Sequence, residues 1–272
     1  MPPSGGSSPA NGGAIASGVG ELRLSERPKT MPGLQAAAAV GQAHLIQTYA
    51  DAFRSHGLHV GQVLLGREDL EDRRRFLNLR NTLHALLDQG CVPVINENDS
   101  VFTEEIRYGD NDFLAAHLAT TVLADLVVLL TSAPGLYETN AQGRRRILRT
   151  VPHISESTLG LADGKSARGT GGMGTKLRAA ATLTKAGVPV VVACGRERRV
   201  LPRLVAWEPL GTLFLPAERA MGSRKRWIGF TARPKGTLVV DEGARRALVE
   251  QGKAGREVYR SLPWCQLAGD QR

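Results

Sequence analysis

Three cysteines in 272 residues exclude a disulfide-stapled scaffold. Cys91, Cys194 and Cys265 stand apart, in no CxxC pair and in no cluster with metal-ligand spacing, so no structural metal is expected. Cys91 and Cys194 adjoin apolar, strand-like runs and read as small buried thiols of a protein in a reducing compartment. Aromatic residues are scarce, at 5% against 42% hydrophobic overall. The core must therefore be built from Ala, Val and Leu, which suits small-residue packing of helices on a sheet. Long hydrophobic runs are missing as well. The longest, residues 124–130, is strand-sized and contains Asp125, too short to span a bilayer. The N-terminus has no apolar signal core. These absences point to a cytoplasmic α/β protein without a membrane partner.

Charge of one sign is in excess, at +9 with a pI near 9.9. A basic chain invites a nucleic-acid partner. The cations, however, fall in short scattered clusters: Arg73-Arg74-Arg75, Arg144-Arg145-Arg146, residues 196–199, and Arg224-Lys225-Arg226. No aromatic platforms alternate with them as base stacking requires. The pattern argues for a solvated basic surface and against RNA binding.

Residues 1–13 are rich in Pro, Gly, Ser and Asn and read as a low-complexity lead-in. From about Pro32 a helical pattern runs through Val40, Leu45, Ile46, Tyr49 and Phe53 and stops at Gly57. A short strand follows over residues 60–65, then a helix through Phe76, Leu79, Leu83, Leu86 and Leu87, ending at Gly90. Further strands are expected over residues 92–95, 126–130, 188–192 and 237–240. Helices are expected from Asp112 to about Leu123, from Thr175 to Ala186, and near residues 244–251. Short continuous apolar strands alternating with amphipathic helices predict a mainly parallel sheet covered on both faces.

Ligands of such sheets gather at the carboxyl ends of the strands, and three loops there are unusual. Asn96-Glu97-Asn98-Asp99 follows a buried strand directly; its amides and carboxylates suit the ammonium group of an amino acid as well as they suit a capping turn. Gly109-Asp110-Asn111-Asp112 precedes a helix and supplies three capping residues where one suffices, which favours a ligand or organising role with Mg²⁺ nearby. Gly169-Thr170-Gly171-Gly172-Met173-Gly174-Thr175-Lys176 opens a helix, where free N–H groups and glycines admit phosphate oxygens as readily as they make a glycine-rich turn without function. A lysine closing that loop can neutralise a transferring phosphoryl group. The GxxxxGK[ST] spacing of the P-loop is absent.

In their order and spacing, these motifs together resemble those of the glutamate 5-kinases of the amino-acid kinase family. Leu130-Thr131-Ser132-Ala133-Pro134-Gly135-Leu136-Tyr137, Ala38-Ala39-Val40-Gly41-Gln42 and His59-Val60-Gly61-Gln62-Val63-Leu64-Leu65 extend the likeness, which runs from about residue 13 to 252. It implies a three-layer α/β/α sandwich with a mainly parallel sheet (the amino-acid kinase fold) over residues 14–222. An incomplete PUA-like segment is implied over residues 223–272. It also implies ATP-dependent phosphorylation of the γ-carboxylate of L-glutamate, the first step of proline biosynthesis, with ATP and Mg²⁺, in a homo-oligomer that hands its product to a glutamyl phosphate reductase.

Residue by residue, the resemblance assigns Asp99 and Asn111 to glutamate, with Gly12 where the family has a serine of a Ser-Gly-Ala turn. Asp112 organises the catalytic groups, and Lys176 stabilises the charge on the phosphoryl group. Thr131 and Ser132 lie by the nucleotide, which Thr170, Gly171, Gly172, Met173, Gly174, Thr175 and Lys176 wrap. A carboxylate needs no general base to attack phosphorus, so positioning and charge neutralisation suffice. The family's N-terminal strand with its phosphate-loop lysine is not recognisable upstream of Gly12, and the first lysine in the chain is Lys29. Both ends thus read as truncated. Rival readings are a catalytically impaired remnant of that kinase, an RNA-binding protein, and a kinase for a related carboxylate or carbamate.

Overall fold

In the computed structural model, which describes residues 13–101, 111–139, 142–161, 172–217, 236–239 and 265–268, glycine sets the first helix contact. Helix α1 (Gly13–Glu21) packs on α2 (Met31–Arg54) with the two backbones in contact. A Cβ added at Gly18 would sit 1.7 Å from the carbonyl oxygen of Ala37, and one at Gly41 would sit 1.8 Å from that of Ala14. Only glycine allows this approach. The helical pattern read from Pro32 leaves α1 out, because small residues carry almost no apolar periodicity. At the start of α2, the Thr30 side chain accepts a hydrogen bond from the Gly33 N–H, as an N-cap should.

Strand β1 (His59–Leu65) leads through the short α3 (Arg67–Glu71) and α4 (Arg73–Asp88) to β2 (Cys91–Glu97). β1 and β2 pair in parallel, from His59 opposite Cys91 to Leu65 opposite Glu97. Gly57 and Gly90, at φ +73° and +70°, supply the left-handed turns that release α2 and α4. Asp72 caps α4 by accepting from the Arg75 N–H at 2.8 Å.

A short 3-10 turn (Asp99–Val101) and α5 (Asn111–Val122) follow. Next come β3 (Val127–Thr131), β4 (Tyr137–Thr139), β5 (Arg145–Ile147), β6 (Thr150–Val151), α6 (Glu156–Gly160) and α7 (Met173–Lys185). β7 (Val190–Cys194), α8 (Val200–Val205) and β8 (Thr212–Phe214) complete the first compact unit, Met1–Ala220. A second unit, Met221–Arg272, contains the parallel pair β9 (Gly236–Val239) and β10 (Cys265–Ala268).

The four-stranded sheet runs β3-β7-β8-β6. β3 and β7 are parallel, β6 and β8 are parallel, and β8 lies antiparallel to β7. β7 is covered on both faces, as its unbroken apolar sequence requires. Val190 and Val192 join Leu129, Leu177, Leu183 and Phe214 in one core. Val191 and Ala193 join Val200 and Leu204 of α8 in another. Layers of helix, sheet and helix result, the expected α/β architecture. Thr212, fully buried, accepts a hydrogen bond from the Leu136 N–H at 2.8 Å, which satisfies a donor the loop would otherwise bury.

Two details differ from the sequence reading. The strand expected over residues 188–192 lies at Val190–Cys194; Pro189 has no N–H for a ladder, and its carbonyl instead accepts from the Val127 N–H at 3.0 Å. Cys91 and Cys194 are half-buried, not buried, because each stands at a strand end. The helix expected near residues 244–251 lies outside the described residues. No described helix is long and apolar enough to cross a membrane.

Candidate functional site

Helices α5 and α7 pack through small side chains. Ala116 and Ala119 of α5 meet the core that holds Ala179, Ala180, Leu177 and Leu183 of α7. Leu177 and Leu183 are fully buried, and truncation of such a leucine to alanine costs about 2–5 kcal/mol. Slender alanines let the helices approach closely, and their first turns come together.

There Lys176 Nζ contacts both oxygens of Asp112, at 2.9 Å (Oδ2) and 3.1 Å (Oδ1). The Thr175 hydroxyl lies 3.0 Å from Asp112 Oδ2 and 2.7 Å from the Gly172 carbonyl oxygen. The side chains of Lys176 and Asp112 are only 10% and 13% exposed. A pair so withdrawn from water is held by geometry and by its additional hydrogen bond, since desolvation offsets much of the Coulombic gain. Gly172 caps α7, and the first turn of α7 carries no acidic residue, leaving a helix N-terminus whose N–H groups favour anions.

Of the other residues expected here, Asp99 opens the 3-10 turn after β2 and is half-buried. Loss of solvent around its carboxyl raises its pKa above the ordinary 3.8. Asn111 is the first residue of α5 and is exposed. Thr131 ends β3 opposite Cys194, and the exposed Ser132 follows, its carbonyl oxygen 3.6 Å from Cys194 Sγ. Met173 and Gly174 form the first turn of α7 with Thr175 and Lys176. Gly12, Thr170 and Gly171 lie outside the described residues.

A model of the amino acid kinase family matches residues 4–194. The chain belongs to that family. It is 50% identical over 245 residues to the glutamate 5-kinase of Syntrophotalea carbinolica, covering 89% of this chain and 66% of that one. It is 47% identical over 246 residues to the glutamate 5-kinase of Syntrophus aciditrophicus, covering 89% and 64%. The chain thus spans a little under two thirds of the length of these relatives. Among solved structures, carbamate kinase from Giardia lamblia bound to AMP-PNP is similar with a TM-score of 0.48 at 18% identity, over 74% of this chain and 79% of that one.

Two features of this amino acid kinase chain were not read from its sequence. One is the contact between Asp112 and Lys176, which stand 64 positions apart. The other is a buried amide pair, in which Asn96 Nδ2 donates to Gln42 Oε1 at 2.8 Å. Gln42 belongs to α2 and Asn96 to the end of β2. Among the described residues no group of three or more His, Cys, Asp or Glu could hold a metal ion.

Proposed function

We propose that the chain transfers the γ-phosphoryl group of ATP to the γ-carboxylate of L-glutamate, forming glutamyl 5-phosphate for proline synthesis. The supporting observation is the withdrawn Asp112–Lys176–Thr175 cluster at the joined first turns of α5 and α7. The names of the glutamate 5-kinases to which the chain is similar support glutamate as the acceptor. A glutamate carboxylate oxygen bonds to the γ-phosphorus while the bond from phosphorus to the ADP oxygen breaks and ADP leaves. The acceptor is already an anion, so no proton moves. The charge building on the phosphoryl oxygens needs a fixed cation, and Lys176, oriented by Asp112, provides it. Mg²⁺ enters with the nucleotide phosphates, the usual arrangement for an ion that keeps several waters.

Asp99 and Asn111 bind glutamate in this reading, Thr131 and Ser132 line the nucleotide side, and residues 170–176 enclose the phosphates. In the same reading residues 223–272 are an incomplete PUA-like segment, and the chain works as a homo-oligomer that hands its product to a glutamyl phosphate reductase. Purified chain given MgATP should form ADP only when glutamate is added. Asp99→Ala and Asn111→Ala should each raise the KM for glutamate by roughly tenfold or more, the loss of one hydrogen bond to a charged group, with the KM for ATP nearly unchanged. ADP formation that ignores glutamate defeats the proposal.

A further inference from the structure

Gln42 stands out because half of its amide is unused in a place where that is uncommon. It is 8% exposed. Its Oε1 accepts from Asn96 Nδ2 at 2.8 Å, yet its Nε2 is buried with no hydrogen-bond partner among the described residues. The large majority of buried side-chain polar atoms have a hydrogen-bond partner, so an orphaned amide nitrogen calls for an explanation. Asn96, at 9% exposure, is the first residue of the Asn96-Glu97-Asn98-Asp99 run and lies three positions before Asp99. The helix that carries Gln42 also packs against the 3-10 turn that Asp99 opens. Two polar side chains from distant elements thus meet at the carboxyl end of β2, where an open parallel sheet receives its ligands.

The amide of asparagine is planar, with an acceptor oxygen and a two-donor nitrogen on the same carbon. With one Nδ2–H donated to Gln42 Oε1, the amide of Asn96 is held against a flip, and Oδ1 keeps a fixed place as an acceptor beside the second N–H. An acceptor suits an ammonium group and repels a carboxylate. We propose that Gln42 is a positioning residue of the amino-acid site, holding Asn96 in the orientation that offers Oδ1 to the ammonium group of the phosphoryl acceptor. The inference rests on the reading of the acceptor as an amino acid. It adds a residue from α2, remote in sequence from the three polar loops, and a reason why the site prefers an amine-bearing acid.

The test compares the wild-type chain with Gln42→Met, Asn96→Ala and the double variant. L-glutamate binding is measured by calorimetry, and the KM values for glutamate and ATP by ADP formation. Gln42→Met keeps the volume and loses the acceptor atom. It should weaken glutamate binding by about tenfold, as expected when a contact to a charged group is misplaced, and leave the KM for ATP within twofold. The double variant should bind no more weakly than Asn96→Ala alone, because Gln42 acts through Asn96. Gln42→Glu, which retains an oxygen for Asn96 Nδ2, should recover most of the affinity. Should Gln42→Met melt well below the wild type, Gln42→Ala replaces it in the cycle.

Glutamate affinity unchanged in a folded Gln42→Met or Gln42→Ala, or effects that multiply in the double variant, would overturn the assignment while leaving the kinase reading intact. Wild-type chain that binds glutamate without forming ADP would defeat the kinase reading and leave the role of Gln42 to be decided by the calorimetry. Wild-type chain that does not bind glutamate would overturn both.

Discussion

Lys176→Met isolates the central contact of the site. The substitution keeps the length of the side chain and removes its charge, so Asp112 loses the cation at 2.9 and 3.1 Å and, among the described residues, retains the Thr175 hydroxyl at 3.0 Å. With the two side chains 10% and 13% exposed, water does little to replace what is lost. Breaking a buried pair by removing one partner costs about 3–5 kcal/mol, and the residual exposure argues for the lower end. For a folded unit of this size, about 3 kcal/mol lowers Tm by roughly 6–12 °C. Asp112→Leu should cost a similar amount, since it strands the ammonium group.

The double variant separates two roles of the pair. Replacing both partners with apolar groups removes the uncompensated charge, so Asp112→Leu with Lys176→Met should lose about 1 kcal/mol, not the roughly 6 kcal/mol that independent losses would sum to. Thr175 keeps its bond to the Gly172 carbonyl in that protein. Phosphoryl transfer should not recover, and both Lys176 variants should show kcat lower by roughly 100- to 1000-fold. Denaturant unfolding and steady-state ADP formation on the four proteins are the assays. Full additivity in stability would show that the two groups do not act on one another. Normal turnover in Lys176→Met would remove the lysine from the reaction.

Other outcomes follow from the fold. Gly41→Ala should loosen α1 from α2 and cost about 1–3 kcal/mol through overpacking, because its Cβ would meet the Ala14 carbonyl oxygen at 1.8 Å. Gly20→Ala, with nothing within 4 Å of the new methyl, should stabilise by about 0.5–1 kcal/mol, and the order of the two melting temperatures checks the pair. Acid should destabilise the chain through His117, buried at 2% exposure with its pKa lowered by desolvation from 6.5 to about 4. The unfolded chain binds the proton first, so this contribution is intact above pH 6.5 and is lost as pH falls towards 4, by about 3 kcal/mol in all. Asp99 has the opposite sign, since its raised pKa favours the folded state at low pH and that gain fades as pH rises past 3.8. Denaturant midpoints between pH 7 and 4 for wild type and His117→Gln test the histidine, and equal slopes in the two would refute it.

The sequence reveals more of the scaffold than of its contacts. β7 is legible because Val190, Val191 and Val192 leave no polar face, and the ends of α2 and α4 are legible because Gly57 and Gly90 mark positive φ. The antiparallel β8 and the β4–β5 hairpin leave weaker traces, being strands of three residues too short to display a period. α1 escapes for another reason: its packing depends on missing side chains, and a hydrophobic pattern cannot record an absence. The loops around Asp99, Asn111 and Lys176 could be singled out because each holds more polar or glycine residues than a turn needs. Which side chains meet could not be read, because 64 positions separate Asp112 from Lys176 and 54 separate Gln42 from Asn96.

The scarcity of aromatic residues and the placement of the site are connected through helix spacing. A Phe or Leu at Ala116 or Ala180, both fully buried, would hold α5 away from α7 by the width of a larger side chain. The Asp112–Lys176 distances of 2.9 and 3.1 Å leave no room for a shift of even one ångström before the contact ceases to be a hydrogen bond. Overpacking elsewhere in the core could be absorbed by rotamer changes, but here it would be transmitted along two rigid helices to their first turns. Alanine at these positions therefore sets the geometry of charges four or more residues away, which neither the polar loops nor the glycines could establish by themselves.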